Sequence, residues 1–310
     1  AVRKLRELAS LPLTAEAHGA RRDIGDRLAV IGDPRPGVGV KDGVPDILWL
    51  PVAPGGDIRI EKRNFTVQPF YIAQYLVTYA QYQAFVTAED GFDKPEWWAG
   101  IPRDYQRQPL ADQRTQAPNN PRDSISWYQS VVFARWLDHR YRHSRLFDNL
   151  PPLPIVANTH SLFSSLVGTR GRASEWQIRL PTEWEWRWAA QGGVHGWGYP
   201  WGSWQAGYAN TIEAGLGRAN AVGMYPHGAA ACGALDMAGS LWEWCLNDDN
   251  KRDNRVDQIS ISSNEQKALR GASFDDRWDY ADSLYRNSYH PGSGSYNYGF
   301  RLVVSSPIRF

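Results

Sequence analysis

The stretch RLPTEWEWRWAAQGG at 179–193 constrains the local fold more than any other part of this chain. Thr182 is followed three residues later by Glu185, the pattern of a capping box that starts a helix. Gly192 can adopt the left-handed conformation that commonly ends a helix. Because Glu183 and Glu185 are two residues apart, they do not face each other on a helix and make a poor acid–base pair. We interpret this stretch as structural.

The composition is that of a globular protein. The chain has 310 residues, of which 42% are hydrophobic and 13% aromatic, enough for one large domain or two ordinary ones. A net charge of +1 and a pI near 8.0 give no field that would steer the chain to nucleic acid or to an anionic membrane. No apolar run approaches the roughly 20 residues of a membrane span, and no secretory signal is recognisable. We therefore expect a cytoplasmic protein that binds neither nucleic acid nor membrane.

The chain contains two cysteines, Cys232 and Cys245. Two are too few for a disulfide scaffold, and their spacing is not that of a zinc site. We interpret both as small buried residues. The first residue is not Met, from which we expect that the sequence is a portion of a longer protein.

Residues 1–45 are interpreted as a helical lead segment and linker, and 46–310 as the main domain. Apolar residues up to position 31 recur at spacings of three and four, and Pro12 interrupts them, so two short helices are expected. The Gly- and Pro-rich stretch at 32–46 predicts turns, and it lacks the Lys and Ser/Thr of a phosphate-binding loop.

Strand and helix patterns follow from residue 47 onward. Strands are predicted at 47–52, 58–60 and 65–75. Thr78 is expected to cap a helix, and a second helix is predicted over SWYQSVVFARWLDHRYRH at 126–143. The stretch at 144–177 has little pattern and is predicted to be a long surface insertion.

Several motifs occur in the order seen in the formylglycine-generating enzyme family, and the resemblance covers about 46–304. They are FTVQPFYIAQYLVTYAQYQAFV, PRDSISWYQSVVFARWL, RLPTEWEWRWAAQGG, YPWG, VGMYPHGAAACGALDMAGSLWEWC, LRGASF and GFRLVV. The resemblance implies an α+β fold, the loop-rich C-type-lectin-like fold of that family, here with a short helical N-terminal segment.

The resemblance does not carry the family's catalytic residues with it. Active members have two cysteines that bind copper shortly after the block that corresponds to LRGASF. Here that segment reads FDDRWDYADSLYR and contains no sulfur, and copper(I) requires soft thiolate ligands. No other catalytic motif replaces the lost pair, so we expect no enzymatic activity and no cofactor.

We expect no catalytic metal site, although three features bear on the question of a bound metal. Related sulfoxide synthases bind iron through histidines of an added helical domain, and the N-terminal segment offers only His18. His139 and His143 share a helix face, although cations also suit a helix C-terminus. Family members carry structural calcium; Asn210 matches one ligand, whereas Ser240 replaces another. Calcium therefore stays undecided.

The segment between Phe274 and Tyr298 has a biased composition. It contains no Lys, Glu, Gln or Met. Apart from Trp278, which we interpret as a framework residue, every residue in it can be encoded by an Asn codon whose two adenines are replaced at will. This pattern resembles the variable proteins of diversity-generating retroelements, so we interpret about 270–303 as a C-terminal variable region. Polar loops often have similar compositions, and a fixed, catalytically dead family member that serves as a regulatory or scaffold module is the alternative.

The interpretation that follows is a binding surface on a lectin-like scaffold. LRGAS and GFRLVV are expected to be buried flanks, and tyrosines with small polar residues between them resemble antibody paratopes. The expected partner is an unidentified protein or other macromolecule, and the aspartates favour a ligand with positive charge. The predicted surface consists of Asp275, Asp276, Arg277, Asp279, Tyr280, Asp282, Ser288, Tyr289, Ser293, Ser295, Tyr296, Asn297 and Tyr298.

Overall fold

The computed structural model describes residues 1–154, 176–249 and 259–308. Helices and strands are short and are joined by many loops, as the predicted α+β class requires. The helices are α1 (Val2–Ser10), α2 (His18–Ile31), α3 (Tyr79–Thr87), α4 (Trp127–His143) and α5 (Glu183–Ala190). The strands are β1 (Val40–Lys41), β2 (Val44–Pro45), β3 (Trp49–Val52), β4 (Gly56–Ile60), β5 (Arg63–Val67), β6 (Phe70–Ala73), β7 (Gln177–Arg179), β8 (Trp242–Asp248), β9 (Lys267–Arg270), β10 (Asn287–Tyr289), β11 (Tyr298–Gly299) and β12 (Val303–Ser305).

Two four-stranded sheets organise the main domain. One has the order β3-β6-β12-β7, and β12 lies antiparallel to both of its neighbours. The other has the order β10-β9-β8-β11, and its β11–β8 pair is parallel, with Tyr298 opposite Trp242. The C-terminal segment thus contributes β10 and β11 to one sheet and β12 to the other, which fixes it at three places along its length.

Side-chain caps start the helices where the sequence predicts them. Thr78 accepts a hydrogen bond from the backbone N–H of Gln81, and Gln81 reaches back to Thr78. The same reciprocal capping box joins Thr182 and Glu185 at the start of α5. Gly192 has φ of +70°, the left-handed conformation expected after that helix. These predictions are confirmed.

The N-terminal helices pack on the main domain. Leu28 is fully buried and lies in a cluster with Met224 and Tyr225. The Arg21 guanidinium donates a hydrogen bond of 3.0 Å to the carbonyl oxygen of Met224. Two helices were expected here, and their contacts make this segment part of the packed structure.

Two predictions of irregular structure were incomplete. Within the turn-rich stretch, β1 and β2 form a small antiparallel pair around Asp42 and Gly43, which both have positive φ. The Asp-Gly dipeptide is a hairpin signal that the Gly and Pro content obscured. The expected insertion at 144–177 starts with a short 3₁₀ turn, Leu146–Asn149, and its last residue begins β7. Residues 155–175 lie outside the described residues.

Within the described parts of the chain, no helix has the length and apolar character needed to cross a bilayer.

Candidate functional site

The C-terminal segment begins and ends in buried residues. Leu269 in β9 and Phe300 and Leu302 after β11 are inaccessible to solvent. The Phe300 ring lies 5.5 Å from the ring of Phe133 and 6.2 Å from that of Tyr82, centroid to centroid. The predicted buried flanks are therefore present, and they hold both ends of the segment in the core.

A buried ion network fixes the middle of the segment. Glu183 is inaccessible to solvent, and its carboxylate lies 2.5 Å from Arg270 and 2.7 Å from Arg286. Arg286 also contacts Asp249 at 2.6 Å. Burial by itself raises the pKa of Glu183, but the two guanidinium groups overcome this effect and hold the pKa at about 2. Glu183 is therefore ionised and acts as a structural counter-ion.

The same network holds the backbone of the segment. The Nη1 atom of Arg270 donates to the carbonyl oxygens of Ser283, Leu284 and Tyr285 at 3.1, 2.9 and 2.9 Å. The backbone N–H of Ser283 donates to the carbonyl of Gly198, and its hydroxyl donates to the carbonyl of Trp197, both at 2.6 Å. The backbone is thus held by buried groups, among them Arg270 at the start of the segment, which leaves the exposed side chains of the segment free to vary.

Backbone hydrogen bonds fix the later part of the segment in the same way. The carbonyl oxygens of Pro291 and Ser295 accept from the backbone N–H groups of Trp127 and Ser124, each at 3.0 Å. The carbonyl of Asn297 accepts from Trp242 at 2.8 Å. These bonds involve only main-chain atoms of the segment, so they do not depend on its side chains.

Large side chains of the segment lie on the outside of this support. Two of them, Leu284 and Tyr285, are 54% and 40% exposed. A neighbouring loop adds the exposed Ile212 and Glu213 and the partly exposed Trp204. Together these side chains form what we call the aromatic–acidic face. It consists of Trp204, Ile212, Glu213, Asp275, Arg277, Trp278, Asp279, Tyr280, Asp282, Leu284 and Tyr285.

Direct contacts join several members of this face in smaller groups. The Trp278 ring lies 5.9 Å from that of Trp204, and the Tyr280 ring lies 4.7 Å from that of Tyr285. The backbone N–H of Trp278 donates to Glu213 at 3.2 Å. The pKa of Tyr285 is raised by burial and by nearby groups that include the Asp279 carboxylate. Rings and carboxylates therefore lie side by side.

Tyr289 and Tyr296 are two further exposed tyrosines of the segment. The Tyr296 hydroxyl donates to Asp275 at 2.6 Å, which links Tyr296 to the aromatic–acidic face. The Arg114 guanidinium lies over the Tyr296 ring at 4.1 Å. The hydrogen bond to Asp275 is the largest cause of the raised pKa of Tyr296. Both tyrosines expose more than a third of their surface.

The structure separates the predicted surface residues into three groups. Six are exposed, namely Asp275, Arg277, Asp279, Tyr280, Tyr289 and Tyr296. Five are partly exposed, namely Asp276, Asp282, Ser293, Ser295 and Asn297. The placement of Ser288 and Tyr298 on the surface was wrong, because both are buried. Ser288 in β10 donates to Gln266, and the Tyr298 ring packs 5.4 Å from that of Trp244.

Trp278 was also misplaced, since it is 39% exposed rather than a buried framework residue. Trp278 does not fit the codon pattern of the segment, and its exposed position beside Trp204 does not explain this exception. Leu284 and Tyr285 also belong to the exposed face and were not predicted there, although both lie within the biased segment and fit its codon pattern. Trp204, Ile212 and Glu213 carried no sequence signal, because only the fold brings their loop to the segment.

The metal candidates have other contacts. One ring nitrogen of His143 lies 2.8 Å from the carbonyl oxygen of His139, and one of His18 lies 2.8 Å from the Tyr225 hydroxyl. Across the residues that the structure describes, no three His, Cys, Asp or Glu side chains cluster as metal ligands would.

The position expected for calcium contains amides rather than carboxylates. The Asn210 amide nitrogen donates to the carbonyl of Arg218 at 3.0 Å and to the Asn220 side-chain oxygen at 3.4 Å. Calcium sites in proteins combine six to eight oxygens, usually with carboxylates among them. The Asn210 side-chain oxygen is buried without a hydrogen-bond partner among the described residues, so it is available as one such ligand, and calcium stays undecided.

The two cysteines differ in exposure. Cys245 in β8 is fully buried, as predicted, whereas Cys232 is partly exposed, so the prediction of burial was wrong for Cys232. Cys232 lies in a loop near Gly233 and packs at the margin of a core cluster rather than within it. Burial raises the pKa of both thiols, which reduces the fraction of reactive thiolate.

We expect a thiol reagent to modify at most one cysteine in the native protein, slowly and at Cys232. The Cys232→Ser variant should then react only after denaturation, because Cys245 is inaccessible. Mass spectrometry after timed labelling provides the measurement. Rapid stoichiometric labelling of native Cys232→Ser would show that Cys245 is reactive and would contradict its structural assignment.

Comparison with known proteins identifies the family. The model of the sulfatase-modifying factor enzyme 1-like domain matches residues 51–306. The mouse protein named inactive C-alpha-formylglycine-generating enzyme 2 is 28% identical in an alignment 270 positions long, which covers 81% of this chain and 80% of the mouse protein. Formylglycine-generating enzyme of Streptomyces coelicolor is 25% identical in an alignment 293 positions long, which covers 78% of this chain and 80% of the enzyme.

Solved structures share the fold. Treponema denticola variable protein 1 superposes with a TM-score of 0.54 at 20% identity, covering 84% of this chain and 95% of that protein. PvdO from Pseudomonas aeruginosa has a TM-score of 0.55 at 20% identity, covering 87% of this chain and 99% of PvdO. The predicted fold of the formylglycine-generating enzyme type is confirmed. With most of its length matched by the family model, the chain belongs to the sulfatase-modifying factor enzyme 1-like family.

Proposed function

We propose that this chain is a non-catalytic ligand-binding protein, a variable protein of a diversity-generating retroelement that binds a protein through its C-terminal segment. One observation carries the proposal. Exposed tyrosines and aspartates lie on a backbone that is held in several places by buried groups such as Arg270 and by main-chain hydrogen bonds to the rest of the domain. A surface of this kind can change its side chains without losing its support.

The biased composition of 275–297 adds support from the sequence. A solved structure with the same fold is that of a protein called a variable protein, so the fold is compatible with this role. Rigid aromatic side chains also give a large contact area at low cost in conformational entropy. The proposed domain boundaries are a helical lead segment at 1–45 and a binding domain at 46–310.

The alternative is a fixed, catalytically dead domain that acts as a regulatory or scaffold module. The similarity to a mouse protein whose name calls it inactive favours this candidate. The DNA around the gene distinguishes the two. A near-identical repeat that differs at adenines, beside a reverse-transcriptase gene, supports the variable protein. A gene with no such repeat would support the fixed module.

We expect the purified chain to produce no formylglycine from a cysteine-containing sulfatase peptide when copper is supplied. Cys245 is buried in β8 and Cys232 lies near Gly233, so neither belongs to the sulfur-free segment that corresponds to the copper site. Mass spectrometry of the peptide provides the measurement, with an active formylglycine-generating enzyme as positive control. Product above the level of a reaction without protein would contradict the absence of activity.

A further inference from the structure

The aromatic–acidic face differs in charge from the whole chain. The chain has a net charge of +1. The face contains four carboxylates, those of Glu213, Asp275, Asp279 and Asp282, and the partly exposed Asp276 lies beside them in the chain. The exposed cation of the face is Arg277. Arg286 forms ion pairs with the buried Glu183 and Asp249, and the exposed Arg114 lies beside the face, over the Tyr296 ring. The local charge is therefore negative.

The one ion pair on the face is weak. Arg277 lies 3.3 Å from Asp279, and the two side chains are 65% and 46% exposed. Exposed pairs of this kind contribute little to stability, because water and salt screen them. A cation from a partner can therefore replace Arg277 beside Asp279 at a small cost in free energy.

Aromatic rings lie next to these carboxylates. Tyr280 and Tyr285 meet at an interplanar angle of 61°, and their neighbours include Asp279. A ring face and a carboxylate both attract an ammonium or guanidinium group. This combination favours a cation over a neutral or anionic ligand.

We propose that the aromatic–acidic face binds a partner protein through exposed lysine or arginine side chains of that partner. The inference rests on the proposed binding function and specifies the chemistry of the ligand. Charge complementarity is the reason for choosing this occupant. A carbohydrate, which could also stack on exposed rings, is an outcome that the experiment must separate.

The test selects binders to the full chain from a display library of a small scaffold protein with randomised loops. Clones that bind the face are recognised because they lose binding to the Tyr280→Ser/Tyr285→Ser variant. We expect the loops of these clones to contain more Lys and Arg than the starting library. Their binding should also weaken as the salt concentration rises, because the attraction is between charges.

Charge variants give the sharper comparison. The triple variant Asp275→Asn/Asp279→Asn/Asp282→Asn should weaken the face-directed clones by about ten-fold or more. A matched control removes three exposed aspartates elsewhere, Asp23→Asn/Asp104→Asn/Asp148→Asn, and thus changes the net charge equally. The control should change affinity by a factor of about two or less, because distant sites act independently.

Four results would overturn the inference. Face-directed clones without an excess of Lys and Arg, or with affinity unchanged in the triple variant, would contradict cation recognition but leave the binding function intact. If the protein binds glycans on an array, and this binding is lost in Trp278→Ser but unchanged in the triple variant, the face binds carbohydrate instead. A complete lack of face-directed clones would count against both the inference and the proposed function.

Discussion

Replacing Glu183 by Gln is expected to lower the free energy of unfolding by about 3–5 kcal/mol, because it leaves buried guanidinium groups without their main counter-ion. Arg270 and Arg286 both lie against this carboxylate, and their side chains are 1% and 11% exposed. Arg270 also holds three carbonyl groups of the segment, so the loss should extend to the support of the binding face.

Urea unfolding followed by tryptophan fluorescence measures this effect. Glu89→Gln is the matched control, because Glu89 is exposed and the change removes the same charge. Exposed substitutions usually change stability by less than about 0.5 kcal/mol. A loss below about 1 kcal/mol for Glu183→Gln would contradict the role of this network as a support.

The same carboxylate gives stability a dependence on pH. The pKa of Glu183 falls from an ordinary value of 4.5 to about 2 in the folded protein. The unfolded chain therefore takes up a proton first, so the contribution of Glu183 is complete above pH 4.5 and is lost as the pH falls toward 2. Glu183→Gln should lack this part of the acid sensitivity.

Truncating Phe300 to Ala should cost about 3–5 kcal/mol, because it opens a cavity among aromatic side chains. Phe300 is inaccessible to solvent and contacts the rings of Phe133 and Tyr82. Tyr298→Ala should also be strongly destabilising, since this tyrosine is only 8% exposed.

The control for the Phe300 variant is Tyr289→Ser on the same segment, where the side chain is 47% exposed. It should change stability by less than about 1 kcal/mol. Thermal unfolding of both variants against the native protein provides the comparison. If Tyr289→Ser unfolds as easily as Phe300→Ala, the tyrosine is part of the core and the division into support and surface fails.

Sequence patterns predicted the helix ends, because these depend on residues only a few positions apart. The capping boxes at Thr78 and Thr182 and the left-handed Gly192 follow from residues within a few positions, and the structure contains all three. The biased composition likewise located the segment that carries much of the exposed face.

The features that were not predicted from the sequence depend on contacts between residues far apart in the chain. Glu183 bonds to Arg286, which lies 103 positions away in the chain. The sequence therefore predicted a structural role for Glu183 without identifying this partner. Tyr298 is buried because β11 pairs with β8, whereas Trp278 is exposed because its turn lies outside both sheets. Composition cannot distinguish these two aromatics.

Randomisation of the segment shows whether a variable surface lies on a fixed support. One library varies exposed positions, which are Asp275, Arg277, Asp279, Tyr280, Leu284, Tyr285, Tyr289 and Tyr296. The other varies the same number of buried positions, which are Ala281, Ser283, Ser288, Pro291, Tyr298, Gly299, Phe300 and Leu302.

Protease resistance of the displayed variants, read by deep sequencing, measures the folded fraction of each library. Most members of the exposed library should remain resistant, because exposed substitutions cost little. Most members of the buried library should be cleaved, since cavities and buried polar groups are costly. Equal loss of resistance in the two libraries would contradict the account.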